Sequence, residues 1–125
     1  MGASTGSSRP SAGPAAGAAH DSFRGEPQRA EIDALAGPVL LEFGTSWCGF
    51  CRAAQPLIAS AFASHPGVRH VKVEDGSGRR LGRSFGVKLW PTLVFLRDGM
   101  QIDRLVRPRD AASIEASLAK IDLAA

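Results

Sequence analysis

The chain has 125 residues, 44% of them hydrophobic, which is the length of one domain with a single core. Its 15 basic and 12 acidic residues leave a net charge of +3 spread along the sequence. That excludes nucleic acid as the main partner, because such binders gather Lys and Arg on one face.

Residues 1–27 are mostly Gly, Ala, Ser, Thr and Pro, and bury too little apolar surface to offset the entropy of ordering them. The expectation is a flexible tail ahead of one domain over residues 28–125. No Leu, Ile or Val occurs among the first 23 residues, so the continuous apolar stretch of a secretory signal is missing. Nor does any run approach the ~20 apolar residues of a membrane helix. The chain therefore reads as cytoplasmic, without a membrane partner.

Structure is expected to begin near Arg29, with a short helix stopped by Gly37 and Pro38. Residues 39–43 read as a strand covered on both faces, because only Glu42 among them is polar. Phe50, Ala53, Ala54, Leu57, Ile58, Ala61 and Phe62 recur at steps of three and four, which predicts one apolar stripe on a helix over residues 49–64. Pro56 lies within it and removes one backbone hydrogen bond. Residues 68–73 form a second strand, and Arg79, Arg80 and Arg83, with Lys88 nearby, surround a small helix at about 80–85. Their charge reads as a solvated face, or as help in orienting an acidic partner protein. A third strand covers 92–96, and Asp98-Gly99 makes a type I′ turn into a fourth at 101–106. A last helix opens at Pro108 and Asp110 and buries Ala111, Ile114, Leu118 and Ile121. The order predicts an α/β fold, a mixed sheet of about four strands flanked by helices, with the first two strands parallel.

The two cysteines carry the chemistry. With two residues between them they close too small a loop to brace a scaffold. Cys48 falls where the first strand passes into the long helix, so unpaired N–H groups and the positive end of the helix dipole stabilise a thiolate there. Cys51, three positions on, shares the same helix face within reach of a disulfide, and lies closer to the apolar stripe. Three other readings compete. Cys48, Cys51, His65 and His70 match the spacing of a two-Cys, two-His zinc site. In that module, however, the cysteines sit on a hairpin and both histidines on one helix. Here the helix starts at the cysteines, and Pro66 and Gly67 interrupt it between the histidines. A pair of inert buried thiols is the second alternative, and a redox sensor without turnover the third. Sensing and catalysis need the same reactive thiol, so the sensor stays open at this point.

Phe43, the run Trp47-Cys48-Gly49-Phe50-Cys51, Pro56, Trp90-Pro91-Thr92 and Asp98-Gly99 together resemble the landmarks of thioredoxins in order and approximate spacing. The resemblance spans about residues 29–121 and implies a thioredoxin-like fold and a thiol–disulfide oxidoreductase, specifically a protein-disulfide reductase. It implies a cis Pro91 facing the cysteines, and a substrate groove formed by Trp47, Gly49, Phe50, Trp90, Pro91 and Thr92. Glu42 takes the place of the family's buried aspartate six residues before the first cysteine, where a carboxyl group suits proton exchange with Cys51. The opposing reading of Glu42 is a solvated strand end. Lys72 falls where many thioredoxins place a lysine near this acid.

The resemblance also implies a monomer with no cofactor beyond the Cys48–Cys51 disulfide and no metal. Its partners would be disulfide-containing proteins and an NADPH-dependent thioredoxin reductase. Phe50 replaces the usual proline between the cysteines, which family comparison associates with a more oxidising disulfide. Trp90, Gly44 and Arg107 are further departures near the substrate, and they put the usual partner set in question. A non-catalytic binding module that uses the same pair as a redox switch is the alternative function.

Overall fold

The computed structural model describes residues 26–122. Except for Glu26 and Pro27, the tail expected over residues 1–27 lies outside them, as do residues 123–125. In chain order the elements are α1 (Arg29–Asp33), β1 (Pro38–Gly44), α2 (Gly49–Phe62), β2 (Arg69–Glu74), α3 (Arg80–Ser84), β3 (Thr92–Arg97), β4 (Met100–Val106) and α4 (Ala111–Ile121). The sheet runs β2-β1-β3-β4, with β1 parallel to β2 and antiparallel to β3, and β3 antiparallel to β4. This is the predicted four-strand mixed sheet.

β1 is central and buried from Val39 to Gly44. Because side chains alternate along a strand, Val39, Leu41 and Phe43 join one core cluster, with Ile32, Leu81 and Phe85 from α1 and the α3 region. Leu40 points the other way, into a cluster with Ala54 and Ile58 of α2 and Ile114 and Leu118 of α4. Glu42 has the same parity as Leu40 and therefore lies on the α2 side.

The stripe of α2 is rotated from its predicted phase. Cys51, Ala54, Ile58 and Ala61 are the buried positions, while Phe50 and Ala53 are exposed. A seven-residue apolar list is wider than the face a helix of this length buries here, and the cysteine supplies its first contact. On α4 the buried set is Ile114, Ser117, Leu118 and Ile121, with Ala111 only half-buried. Ser117 tolerates burial because its hydroxyl donates to Asp103 Oδ2 at 2.6 Å. Asp110 caps this helix as expected, its Oδ1 accepting from Ser113 N at 2.7 Å.

The β3–β4 turn has positive φ at both Asp98 (51°) and Gly99 (81°), as a type I′ turn requires. Gly99 is needed there twice over, since a Cβ on it would collide with the carbonyl of Asp33.

Candidate active site

β1 delivers the chain to Gly44, three residues turn, and Cys48 becomes the N-cap of α2 with extended backbone (φ −81°, ψ 123°). Its Sγ accepts a hydrogen bond from Cys51 N at 3.2 Å. The sulfur thus occupies the place that a Ser, Thr or Asp oxygen takes at most helix starts, facing the unpaired N–H groups of the first turn. That position turns Cys48 Sγ toward the backbone donors and the positive end of the α2 dipole.

Cys51, one turn in, is 1% exposed against 8% for Cys48. Burial, and next its hydrogen bond with Cys48, push the Cys51 thiol up from 9.0 to about 12; a backbone hydrogen bond from Thr45 opposes the shift. At neutral pH Cys51 therefore carries its proton. Two sulfurs three residues apart end up with different chemistry because one caps the helix and the other is packed inside it. Both are free thiols in this structure.

The rim is aromatic. Trp47 and Phe50 are 68% and 57% exposed, large apolar surfaces flanking the cysteines. The Trp90–Pro91 bond is cis, as expected. The Trp90 ring meets Trp47 edge-on at 5.6 Å, which brings the Pro91 loop against the cysteine turn. Arg107 ties the same two segments together. Its Nε donates to Trp90 O at 2.7 Å, and its guanidinium lies 3.9 Å from the centre of the Phe50 ring. Trp90 Nε1 donates to Asp75 Oδ2 at 2.9 Å, and Asp75 N to Gly44 O at 3.0 Å, so Asp75 fixes the tryptophan from the β2 side. Thr92 is fully buried and its hydroxyl donates to Leu89 O at 2.6 Å. Its side chain braces the loop from beneath. Gly49 is exposed at the first position of α2.

Glu42 is 0% exposed, which rules out a solvated strand end. Its Oε1 lies 2.7 Å from His70 Nε2, and its Oε2 accepts from Gln55 Nε2 at 2.8 Å. Gln55 Nε2 also donates to Cys51 O at 2.9 Å, and its Oε1 accepts from Lys72 Nζ at 3.0 Å. A hydrogen-bonded path thus runs from the buried acid to the backbone of the buried cysteine.

Gln55, His70 and Asp75 are the site residues that sequence reasoning missed. Gln55 stands four positions after Cys51 on the same helix face, which was a usable signal, and His70 and Lys72 share the face of Glu42 once the β1–β2 register is known. The histidines of the zinc spacing are occupied elsewhere, His65 Nδ1 with Asp122 Oδ2 at 2.8 Å and His70 with Glu42. Among the described residues no group of three or more His, Cys, Asp or Glu is placed to hold a metal ion.

The family model for thioredoxin matches residues 22–120. The chain belongs to the thioredoxin family. It is 33% identical to the thioredoxin of Chlamydia muridarum over 84 residues, covering 67% of this chain and 82% of that one. The solved structure of thioredoxin 2 from Pseudomonas aeruginosa in its reduced form is 57% identical, superposes with a TM-score of 0.74, and covers 82% of this chain and 95% of its own. Thioredoxin O2 from Arabidopsis thaliana in its oxidised state, at 24% identity and a TM-score of 0.62, shares the fold. With this family goes the activity: the chain is a thiol–disulfide oxidoreductase, an enzyme, and the binding-module alternative is not favoured. Among the described residues no helix is long and apolar enough to cross a membrane.

Proposed function

We propose that the chain reduces protein disulfides, with Cys48 as the attacking sulfur, Cys51 as the resolving sulfur and Glu42 as the group that accepts the Cys51 proton. The supporting observation is the asymmetry of the pair. Cys48 Sγ caps α2 at 3.2 Å from Cys51 N, whereas burial holds the Cys51 thiol up at about 12.

The Cys48 thiolate attacks one sulfur of a substrate disulfide. A mixed disulfide forms, the substrate S–S bond breaks, and one substrate thiolate leaves and takes a proton from solvent. Cys51 then gives up its proton to Glu42, its sulfur attacks Cys48 Sγ, and the mixed disulfide breaks to release the second substrate sulfur as a thiolate, which takes a proton from solvent. Two electrons have passed from the dithiol to the substrate. A thiol held near 12 does not ionise unaided at neutral pH, so this second step needs a base; Glu42 is the buried acid whose charge acts on the Cys51 thiol, and Gln55 holds it against the Cys51 turn.

Trp47, Gly49, Phe50, Trp90 and Pro91 would border the bound substrate chain. The cycle calls for no metal, flavin or nucleotide on the protein itself. A thioredoxin reductase is the proposed electron donor, disulfide-containing proteins are the proposed substrates, and the cytoplasm is the proposed compartment.

The test is catalysed reduction of a model protein disulfide by dithiothreitol. Cys48→Ser should abolish the acceleration, and Cys51→Ser should accumulate a mixed disulfide through Cys48. Full activity of Cys48→Ser, or trapping through Cys51, would contradict the assignment.

A further inference from the structure

We infer that His70 is the positioning residue for Glu42, holding the buried carboxylate and sharing the proton it receives when the Cys48–Cys51 disulfide closes. The inference rests on the reading that Glu42 takes the Cys51 proton.

His70 lies on β2 opposite Leu40, and Lys72 opposite Glu42, so both side chains have the parity of the α2 face. The His70 side chain is 3% exposed and that of Glu42 0%. An ion in such a place costs several kcal/mol unless its lone pairs are satisfied and its charge is matched. Gln55 satisfies Oε2 but brings no charge. The 2.7 Å separation of Oε1 and Nε2 requires one proton between them, carried either by the ring or by the carboxyl group. Moving that proton along a single short line redistributes the charge without exposing it.

The ring is held for this one contact. Phe62 stacks on it at 5.1 Å and 18°, and Nδ1 has no hydrogen-bond partner among the described residues. A histidine kept only for packing would be replaceable by an apolar ring there, whereas this one directs its engaged nitrogen at the carboxylate.

The other titratable groups on this side of the sheet are Cys48 and Cys51 from α2, Lys72 and Glu74 from β2, Arg97 from β3, and Asp103 of β4 with Lys120 of α4; Lys72 contacts Gln55, Asp103 is held by Ser117 and Lys120, and Arg97 donates to Ile121 O. β3 and α4 also present Leu93, Phe95, Ile114 and Leu118. His65 and Asp122, paired at 2.8 Å, follow the C-terminal ends of α2 and α4. His70 is thus a titratable side chain in direct contact with Glu42, at 2.7 Å, while Lys72 brings a cation to the same layer.

In the resolving step the Cys51 S–H bond breaks, its electron pair stays on sulfur for attack on Cys48 Sγ, and the substrate thiolate leaves and takes a proton from solvent. The Cys51 proton adds to the Glu42–His70 pair beside the one already on the Oε1–Nε2 line, so that the pair goes from carboxylate and neutral ring to a net charge of zero. Reduction of the disulfide returns that proton to Cys51. Proton transfer within the pair oxidises and reduces nothing.

The experiment measures the pH dependence of single-turnover reduction of a model protein disulfide between pH 5 and 9, with the full chain and its Glu42→Gln, His70→Leu, His70→Asn and Glu42→Gln/His70→Leu variants. Glu42→Gln should remove an inflection from the profile. His70→Leu should displace that inflection and slow the reaction at pH 7 on the order of tenfold. His70→Asn, which keeps a donor without a titrating ring, should recover rate but not the inflection. The double variant should match Glu42→Gln alone.

A wild-type profile in folded His70→Leu, while Glu42→Gln is altered, overturns the role of His70 only. An unaltered Glu42→Gln overturns the proton reading as well. Should the His70 variants not fold, NMR of the wild-type ring nitrogens decides: His70 signals that differ between the reduced and oxidised protein support the inference, and invariant signals overturn it.

Discussion

The two faces of the sheet are covered in the same way, by helices, yet they are built of different chemistry. Toward α1 and α3 the core cluster is apolar, with Val39, Leu41 and Phe43 meeting Val94, Leu96 and Phe85, and Thr92 of β3 and Arg104 of β4, polar side chains on that side, are hydrogen-bonded to backbone carbonyls. Toward α2 and α4 an equally buried layer admits Glu42 and His70 beside Leu40, Ile58 and Leu118. A single strand feeds both: alternate residues of β1 go to opposite sides, so the only acidic residue between Val39 and Phe43 lands on the side where Cys51 is packed. The difference teaches where to look for chemistry in a small domain, namely at the layer whose burial is chemically expensive and whose polar atoms are nonetheless paired.

Substitutions on the two faces should therefore fail differently. The largest effect belongs to the apolar face, where Phe43→Ala removes a fully buried ring packed 5.7 Å from Phe85 and should cost about 3–5 kcal/mol in denaturant unfolding. Under conditions where that variant is folded, its pH profile of disulfide reduction should match the parent. A shifted profile would mean the faces are not separate.

Next is a pH effect confined to the polar face. Because burial raises the Cys51 thiol from 9.0 to about 12, the unfolded chain loses this proton in a range where the folded chain keeps it. Stability of the reduced protein should thus fall as pH rises from about 9 to 12, by up to about 1.4 kcal/mol per pH unit from this group. The oxidised protein has no thiol there and should lack this component, which parallel denaturant titrations of the two forms would show. The smallest effect is remote from both cysteines: Asp110→Ala removes the cap of α4 and should cost about 1 kcal/mol without changing turnover.

Local signals were the legible part of this molecule. The apolar run of β1, the Asp98-Gly99 turn, the Asp110 cap and a helix opening at Cys48 are each set by a few adjacent residues, and each appears where the pattern placed it. The family landmarks gave Cys48, Cys51 and the cis Pro91, and marked Glu42 as a buried acid. What stayed hidden depends on register and on helix phase. His70 meets Glu42 only because β1 and β2 pair Leu40 with His70, and nothing in either strand alone states that offset. Asp75 reaches Trp90, and Arg107 spans Phe50 and Trp90, across 15 or more residues of sequence. The face of α2 was misjudged at Phe50 and Ala53 because alanines and aromatics fit a stripe of several widths, and the buried one is narrower. Phe50 is better understood as part of the exposed rim under Arg107.

The central claim is that the two sulfurs differ, the first reactive at the helix cap and the second buried with its proton. Brief iodoacetamide treatment of the reduced native protein at pH 7, followed by peptide mass spectrometry, tests it directly. Carbamidomethyl groups should appear on Cys48 well before Cys51, with the difference lost in denaturant. Equal labelling of the two in the native protein, or faster labelling of Cys51, would contradict the account.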